Sequence, residues 1–256
     1  MSIEAAIAGG TSLDAFLGGA LTIEQPATGY RAGLDAVLLA AACPTQAGER
    51  VLDAGAGVGV VGLCVARRVT GATVTLVERE PSLATLAGAN VMRNGLADRV
   101  TVVTADLAQP LSRHAVLAAL VNGFHHVLAN PPYHVDGRGT AAADPLKAGS
   151  HAMAEGSLDD WARFMAAMAM PDGTLTMIHR ADKLDEILAV LDRRFGGLVV
   201  RPIYPRAGEA ASRVLISGKK ASRAPLTIAP GLVLHEPKGF RPDIEAVLRH
   251  GAALVL

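Results

Sequence analysis

From residue 50 onward, short β-branched runs alternate with helical stretches, and this alternation leaves the chain few folds to choose from. "RVLDAGA" (50–56), "TVTLVE" (73–78), "VTVVTADL" (100–107), "HHVLAN" (125–130) and "GTLTMIHR" (173–180) read as buried strands. Between them the spacing predicts helices over 58–69, 81–95, near 111–121 and over 157–170, with another over 181–196. "LVVRPIYP" (198–205) and "SRVLISGKK" (212–220) supply the last strands. Seven strands interleaved with helices imply an α/β fold with a mostly parallel, doubly wound sheet and right-handed crossovers. The last two strands are joined by a short link, which makes the final one antiparallel.

The 256 residues are enough for a substantial core, but only 4% are aromatic, so Ala, Val and Leu must fill it. We expect one domain over 1–256: an N-terminal hairpin and helix (1–45), a catalytic core (46–220) and a C-terminal extension (221–256). Flexible loops are expected at 134–150 and 221–242. The 24 basic and 24 acidic residues cancel, so net charge does not point to nucleic acid. Eight basic residues nevertheless fall between 193 and 224, against Glu209 as the only acid, a basic face able to track phosphates. Cys43 and Cys64 have no metal-binding spacing and read as buried thiols of a reducing cytosol. With neither a signal peptide nor a long apolar run, the expectation is a cytoplasmic protein with no membrane span.

"LDAGAGVGVVG" (52–62) sets Asp53, Gly55, Gly57 and Gly59 where the first strand of this series turns into its helix. Glycines allow close backbone approach to a ligand, and a helix N-terminus presents unpaired N–H groups. Gly57, Gly59 and Gly62 also satisfy the dinucleotide pattern GxGxxG, which keeps an NAD-binding reductase open. Glu78 and Asp106, at the ends of the next two strands, face the same crevice as Asp53. Glu78 suits ribose hydroxyls, Asp106 an exocyclic amine, and Asp53 an ammonium or sulfonium. Asp53 would repel a pyrophosphate. Three carboxylates therefore favour a cationic adenosyl ligand, and S-adenosylmethionine has that charge.

"VLDAGAGVG", "VERE", "TADL" and "LANPPY" occur in the order and spacing of class I S-adenosylmethionine-dependent methyltransferases, which the chain resembles from about residue 30 to 180. The resemblance implies their Rossmann-like fold, with strand order 3-2-1-4-5-7-6. It also carries Ala56, Arg79, Leu107 and Asn130 into the donor site beside Asp53, Gly55, Gly57, Gly59, Glu78 and Asp106. Asn130, Pro131, Pro132 and Tyr133 then form the acceptor site. The Asn130 oxygen and a proline carbonyl can each accept a hydrogen bond from an NH2 group. Tyr133 can stack on a planar target for roughly 1–3 kcal/mol. In the family, NPPY marks enzymes that methylate amino groups of nucleobases or of glutamine side chains.

"G-x-D-x-x-L-L-A" (33–40), "DPLKAGSHAMAEGSLDDW" and "GTLTMIHRADKLDEIL" resemble the bacterial tRNA-valine adenine-N6 methyltransferases. That resemblance implies tRNA as partner and places Gly33 and Asp35 beside the methionine part of the donor. For Asp35 an ordinary helix covering the sheet is the other reading. Protein glutamine methylation and small-molecule O- or N-methylation stay open. His151 and His179 read as structural histidines able to approach the crevice, and no cluster suggests a metal.

Overall fold

The computed structural model describes residues 10–29, 31–132 and 157–254. The N-terminal strands β1 (Thr11–Phe16) and β2 (Leu21–Pro26) form an antiparallel hairpin, followed by helix α1 (Leu34–Ala42). The alternating series then runs β3 (Arg50–Ala54), α2 (Val60–Arg68), β4 (Thr73–Glu78), α3 (Pro81–Arg93) and β5 (Val100–Thr104). Next come α4 (Ala115–Ala118), β6 (Phe124–Ala129), α5 (Ser157–Met168), β7 (Ala169–Arg180), α6 (Leu184–Leu191), β8 (Phe195–Arg206) and β9 (Arg213–Lys220).

Counted from Arg50, the strands stand in the expected order: β5-β4-β3-β6-β7-β9-β8. β3 to β7 pair in parallel, while β9 inserts between β7 and β8 and runs antiparallel to both. The sheet does not stop at seven strands. Residues 221–242, expected as a loop, supply β10 (Thr227–Ile228), β11 (Leu232–Glu236) and β12 (Gly239–Phe240), making ten strands among the described residues. β10 and β11 both pair in parallel with the outer edge of β8, so its exposed N–H and C=O groups find partners. The helix expected near 111–121 reduces to a 3-10 turn and the single-turn α4.

Alternate residues of the central strands face opposite layers. On one face Val51, Val74, Leu76 and Leu128 pack with α1, α2, α3 and the C-terminal helix α7 (Pro242–His250). On the other, Leu52, Ala54, Val77, Val127 and Ala129 pack with α5 and α6. Both layers rely on aliphatic side chains, each fully buried Leu or Val contributing roughly 1.5–3 kcal/mol. In α1, "LDAVLLAAA", all residues from Ala36 to Ala42 are buried, and the short alanine side chains let the helix lie close to the sheet. Cys43 and Cys64 are buried free thiols, and burial pushes both up to about 12.

Candidate functional site

The ends of three neighbouring strands build the site. Ala54 of β3 is paired with Val77 of β4 on one side and with Ala129 of β6 on the other. The residues that follow these three are Gly55, Glu78 and Asn130, so all three stand at the same edge of the sheet. Glu78 in turn pairs with Thr104 of β5, which brings Asp106 to the same edge two residues later.

After Ala54 the backbone goes left-handed three times, at Gly55 (φ 63°), Gly57 (φ 57°) and Gly59 (φ 91°), and Gly59 then caps α2. Side chains rarely adopt these angles. Ala56 is buried and its N–H donates to the Val77 carbonyl at 2.9 Å, anchoring the turn to β4. Gly62 lies inside α2, where a Cβ would sit 2.3 Å from Leu76 Cδ2 and 2.9 Å from Val74 Cγ1. Its absence lets the helix start flush against the sheet.

Two buried carboxylates hold this turn from below. Asp53 is 1% exposed, and its Oδ2 accepts the Gly62 N–H at 3.0 Å. Glu78 is 7% exposed; Oε2 accepts the Gly57 N–H and Oε1 the Glu80 N–H, each at 2.8 Å. Burial pushes Asp53 up to about 7 despite the Gly62 N–H, and the nearby Glu78 charge adds to the push. Burial also raises Glu78, against the backbone N–H groups of Glu80 and Gly57. Two such carboxylates side by side favour a cation and disfavour a phosphate. Asp106 is half-buried, and its Oδ1 accepts the N–H of Ala108 at 2.9 Å, a local turn that fixes the carboxylate. Leu107 is half-buried beside the α5/α6 core, while Arg79 is exposed.

Pro131 is buried and Pro132 half-buried just beyond Asn130; Tyr133 and His151 lie outside the described residues. Gly33 precedes α1 and is exposed. Asp35 sits on the far side of the crevice from Asp106, where it accepts Arg213 Nε at 3.0 Å. Since Arg213 is paired with Arg180, this bond ties α1 to the crevice ends of β7 and β9. His179 is 3% exposed on β7, and burial pushes it down to about 4, so it is neutral at physiological pH. Among the described residues, no group of three or more His, Cys, Asp or Glu could hold a metal ion.

The basic run does not form one face. Strand direction sends Arg206 and Arg213 to the crevice edge, whereas Arg194, Lys219 and Lys220 lie at the opposite edge. Several are already paired: Arg194 with Asp159 at 2.8 Å, and Lys220 with Asn122 and the Ala169 carbonyl, each at 2.7 Å. Sequence reasoning counted Arg213 only within the basic run and missed its bond to Asp35, and it missed Trp161, which packs against Gly55. As the sole tryptophan, just past the segment after NPPY, Trp161 carried a compositional signal, but nothing in the sequence pairs it with Gly55.

The family model described as "Methyltransferase small domain" matches residues 32–158. A tRNA1(Val) (adenine(37)-N6)-methyltransferase of Aeromonas salmonicida is 28% identical over 233 residues, covering 89% of this chain and 92% of that protein. A release factor glutamine methyltransferase of Gloeobacter violaceus is 37% identical over 91 residues, 36% of this chain and 29% of that one. Among solved structures, an Agrobacterium tumefaciens protein described as a predicted O-methyltransferase is 32% identical. It has a TM-score of 0.73, and the match covers 87% of this chain and 99% of that one.

Proposed function

The chain belongs to the class I S-adenosylmethionine-dependent methyltransferases, and on that footing we propose that it methylates an exocyclic amino nitrogen, adenine N6 of a tRNA. One observation carries the reading: Asn130 directly follows Ala129, the strand partner of Ala54, from which the glycine turn departs. An amino group held by Asn130 would thus lie next to the donor.

The residues fit the donor. Glu78, held by two backbone N–H groups, keeps further lone pairs for the ribose hydroxyls. Asp106 suits the adenine amine, and the charge of Asp53 offsets that of the cationic end. Gly55, Ala56, Gly57 and Gly59 provide close backbone approach; Arg79 and Leu107 flank the adenosyl part, and Gly33 and Asp35 the methionine part. S-adenosylmethionine supplies an electrophilic methyl activated by the sulfonium charge.

On the acceptor side, the Asn130 oxygen and the Pro131 carbonyl take the two amino hydrogens. This draws the nitrogen out of conjugation and turns its lone pair toward the donor. Tyr133 holds the ring by stacking, and Pro132 stiffens the backbone between them. Positioning accounts for most of the rate, and no strong base is needed because the proton becomes acidic only after transfer.

The curated relative aligned over 89% of the chain is an RNA enzyme, which favours RNA over glutamine. The O-methyltransferase description belongs to the Agrobacterium protein, and an oxygen acceptor would leave the Asn-Pro-Pro acceptors without a second hydrogen to hold. A reductase would need a pyrophosphate placed over Asp53. We read residues 1–256 as one methyltransferase domain working on tRNA in the cytoplasm; no helix among the described residues is long and apolar enough to cross a membrane.

The test is radiolabelled donor incubated with total RNA and total protein from a strain lacking the enzyme. We expect label in ribonuclease-sensitive material, with Asn130→Ala lowering kcat by about 10²–10³. Label confined to protein would overturn the substrate, and full activity of Asn130→Ala would overturn the chemistry.

A further inference from the structure

The stretch that leads into α1 is held by a side chain. Residues 31–33 are neither helix nor strand. Gln25, near the end of β2, is 1% exposed and turns its amide toward them. Its Oε1 accepts the Ala32 N–H at 2.8 Å, and its Nε2 donates to the Ala32 carbonyl at 3.4 Å and to Asp14 Oδ2 at 3.0 Å. The amide thus meets the Ala32 main chain as a neighbouring strand would, with its acceptor and both donors in use. Arg31 adds a second clamp at the surface: Nη1 donates to Ser12 Oγ at 2.8 Å and to the Pro26 carbonyl at 3.0 Å, and Nη2 to Asp14 Oδ2 at 2.6 Å.

The clamped stretch runs directly into Gly33, Leu34 and Asp35. The Gly33 carbonyl accepts the Ala36 N–H at 3.1 Å, and Asp35 meets Arg213 at the crevice ends of β7 and β9. A Cβ at Gly33 would find nothing within 4 Å, and its φ of −149° is open to any residue, so the packing of this chain does not demand glycine there. The other end of β2 is fastened in the same manner, away from the crevice. Asn94, at the C-terminal end of α3, accepts the Thr22 N–H at 2.9 Å and donates to the Thr22 carbonyl at 2.8 Å. Thr22 and Gln25 stand about 10 Å apart along β2, so the two clamps act on different ends of the hairpin.

We propose that Gln25 is a positioning residue for the methyl donor: by gripping both polar groups of Ala32 it fixes Gly33 and Asp35 at the crevice before the donor arrives. The inference rests on the reading that Gly33 and Asp35 flank the methionine part of S-adenosylmethionine. A stretch fixed in advance loses no freedom on binding, so the effect belongs in donor affinity.

The test is titration calorimetry with S-adenosylmethionine on three variants, each with its melting temperature. Gln25→Met keeps the side chain's length and removes its hydrogen bonds to Ala32. It should raise the donor Kd about tenfold, a milder penalty than the 10² of an ångström-scale misplacement. Asn94→Ala loosens the hairpin at its other end. Its melting temperature should fall while its donor Kd stays within about twofold of wild type, as expected of a distant site. A donor Kd unchanged in Gln25→Met, or raised equally in both variants, means that Gln25 only stabilises the fold, and overturns the proposal. Gly33→Ala tests the underlying reading separately. Weaker donor binding at an unchanged melting temperature supports it, even where Gln25→Met has refuted the positioning role. Unchanged binding in Gly33→Ala removes Gly33 from the methionine part, and the proposal falls with that reading. The absence of heat in the wild type overturns the donor reading itself. If Gln25→Met does not fold, Arg31→Met, which opens the surface clamp on the same stretch, is read in the same way.

Discussion

Taking Asp53 into the protein removes a carboxylate from water and returns the Gly62 N–H as a partner. The cost appears as a native carboxyl pushed from 3.8 to about 7. In the unfolded chain the group ionises near its ordinary value. Between about pH 4 and pH 7 the native state therefore keeps a proton that the unfolded state has lost. Stability contributed by this group is present below about pH 4 and declines as pH rises to about 7, by at most about 1.4 kcal/mol per pH unit. Asp53→Asn should flatten that slope and raise the apo melting temperature at pH 8, as differential scanning calorimetry across pH 4–8 would record. The same substitution should weaken donor binding. In the wild type, donor affinity should rise as pH passes through about 7 and the carboxylate becomes ionised, a trend that titration calorimetry would find absent in Asp53→Asn.

At the scale of elements, Asn90 shows how helices and turns are fastened. It is 0% exposed on α3, yet its amide is fully used. Oδ1 accepts the Glu24 N–H at 2.7 Å, and Nδ2 donates to the carbonyls of Glu24 and Val58, each at 3.0 Å. One side chain thus joins the β1–β2 hairpin, α3 and the glycine turn. Asn90→Ala leaves these buried backbone groups without partners, so a loss of about 1–3 kcal/mol is expected from denaturant melts. Donor KM should rise as well, because Val58 sits inside the glycine turn.

Elements of this kind were legible in the sequence where local signals agree. The apolar runs of β3 to β6, the glycines after Ala54, and the acids at 53, 78 and 106 need only their own neighbours to be read. β10 and β12, of two residues each, hold strand geometry only because a partner edge is there to meet them. The Gly55–Trp161 and Asp35–Arg213 contacts bring together residues more than a hundred positions apart, and no periodicity encodes such a meeting. The basic run misled for a related reason: residues near in sequence were carried to opposite edges when β9 reversed direction.

For the molecule as a whole, the C-terminal region is part of the core. Ile244 and Val247 of α7 are buried with α1, the Leu254 N–H donates to the Ala41 carbonyl at 2.9 Å, and Arg68 Nε donates to the Gly251 carbonyl at 3.1 Å. Ile244→Ala should cost about 2–5 kcal/mol. Truncation after Arg241 should cost more, because it also strips the cover from Leu17 and Val37. Urea midpoints of the two variants would order them. β8 reaches the rest of the sheet through β9 alone, although β9 is made after it. While the ribosome is still translating residues 213–220, β8 has no berth and the flank of β7 lies bare. Assembly of this half of the protein must wait for a late stretch of chain to slot into the gap, which makes nascent chains stalled near residue 210 the ones most in need of a chaperone.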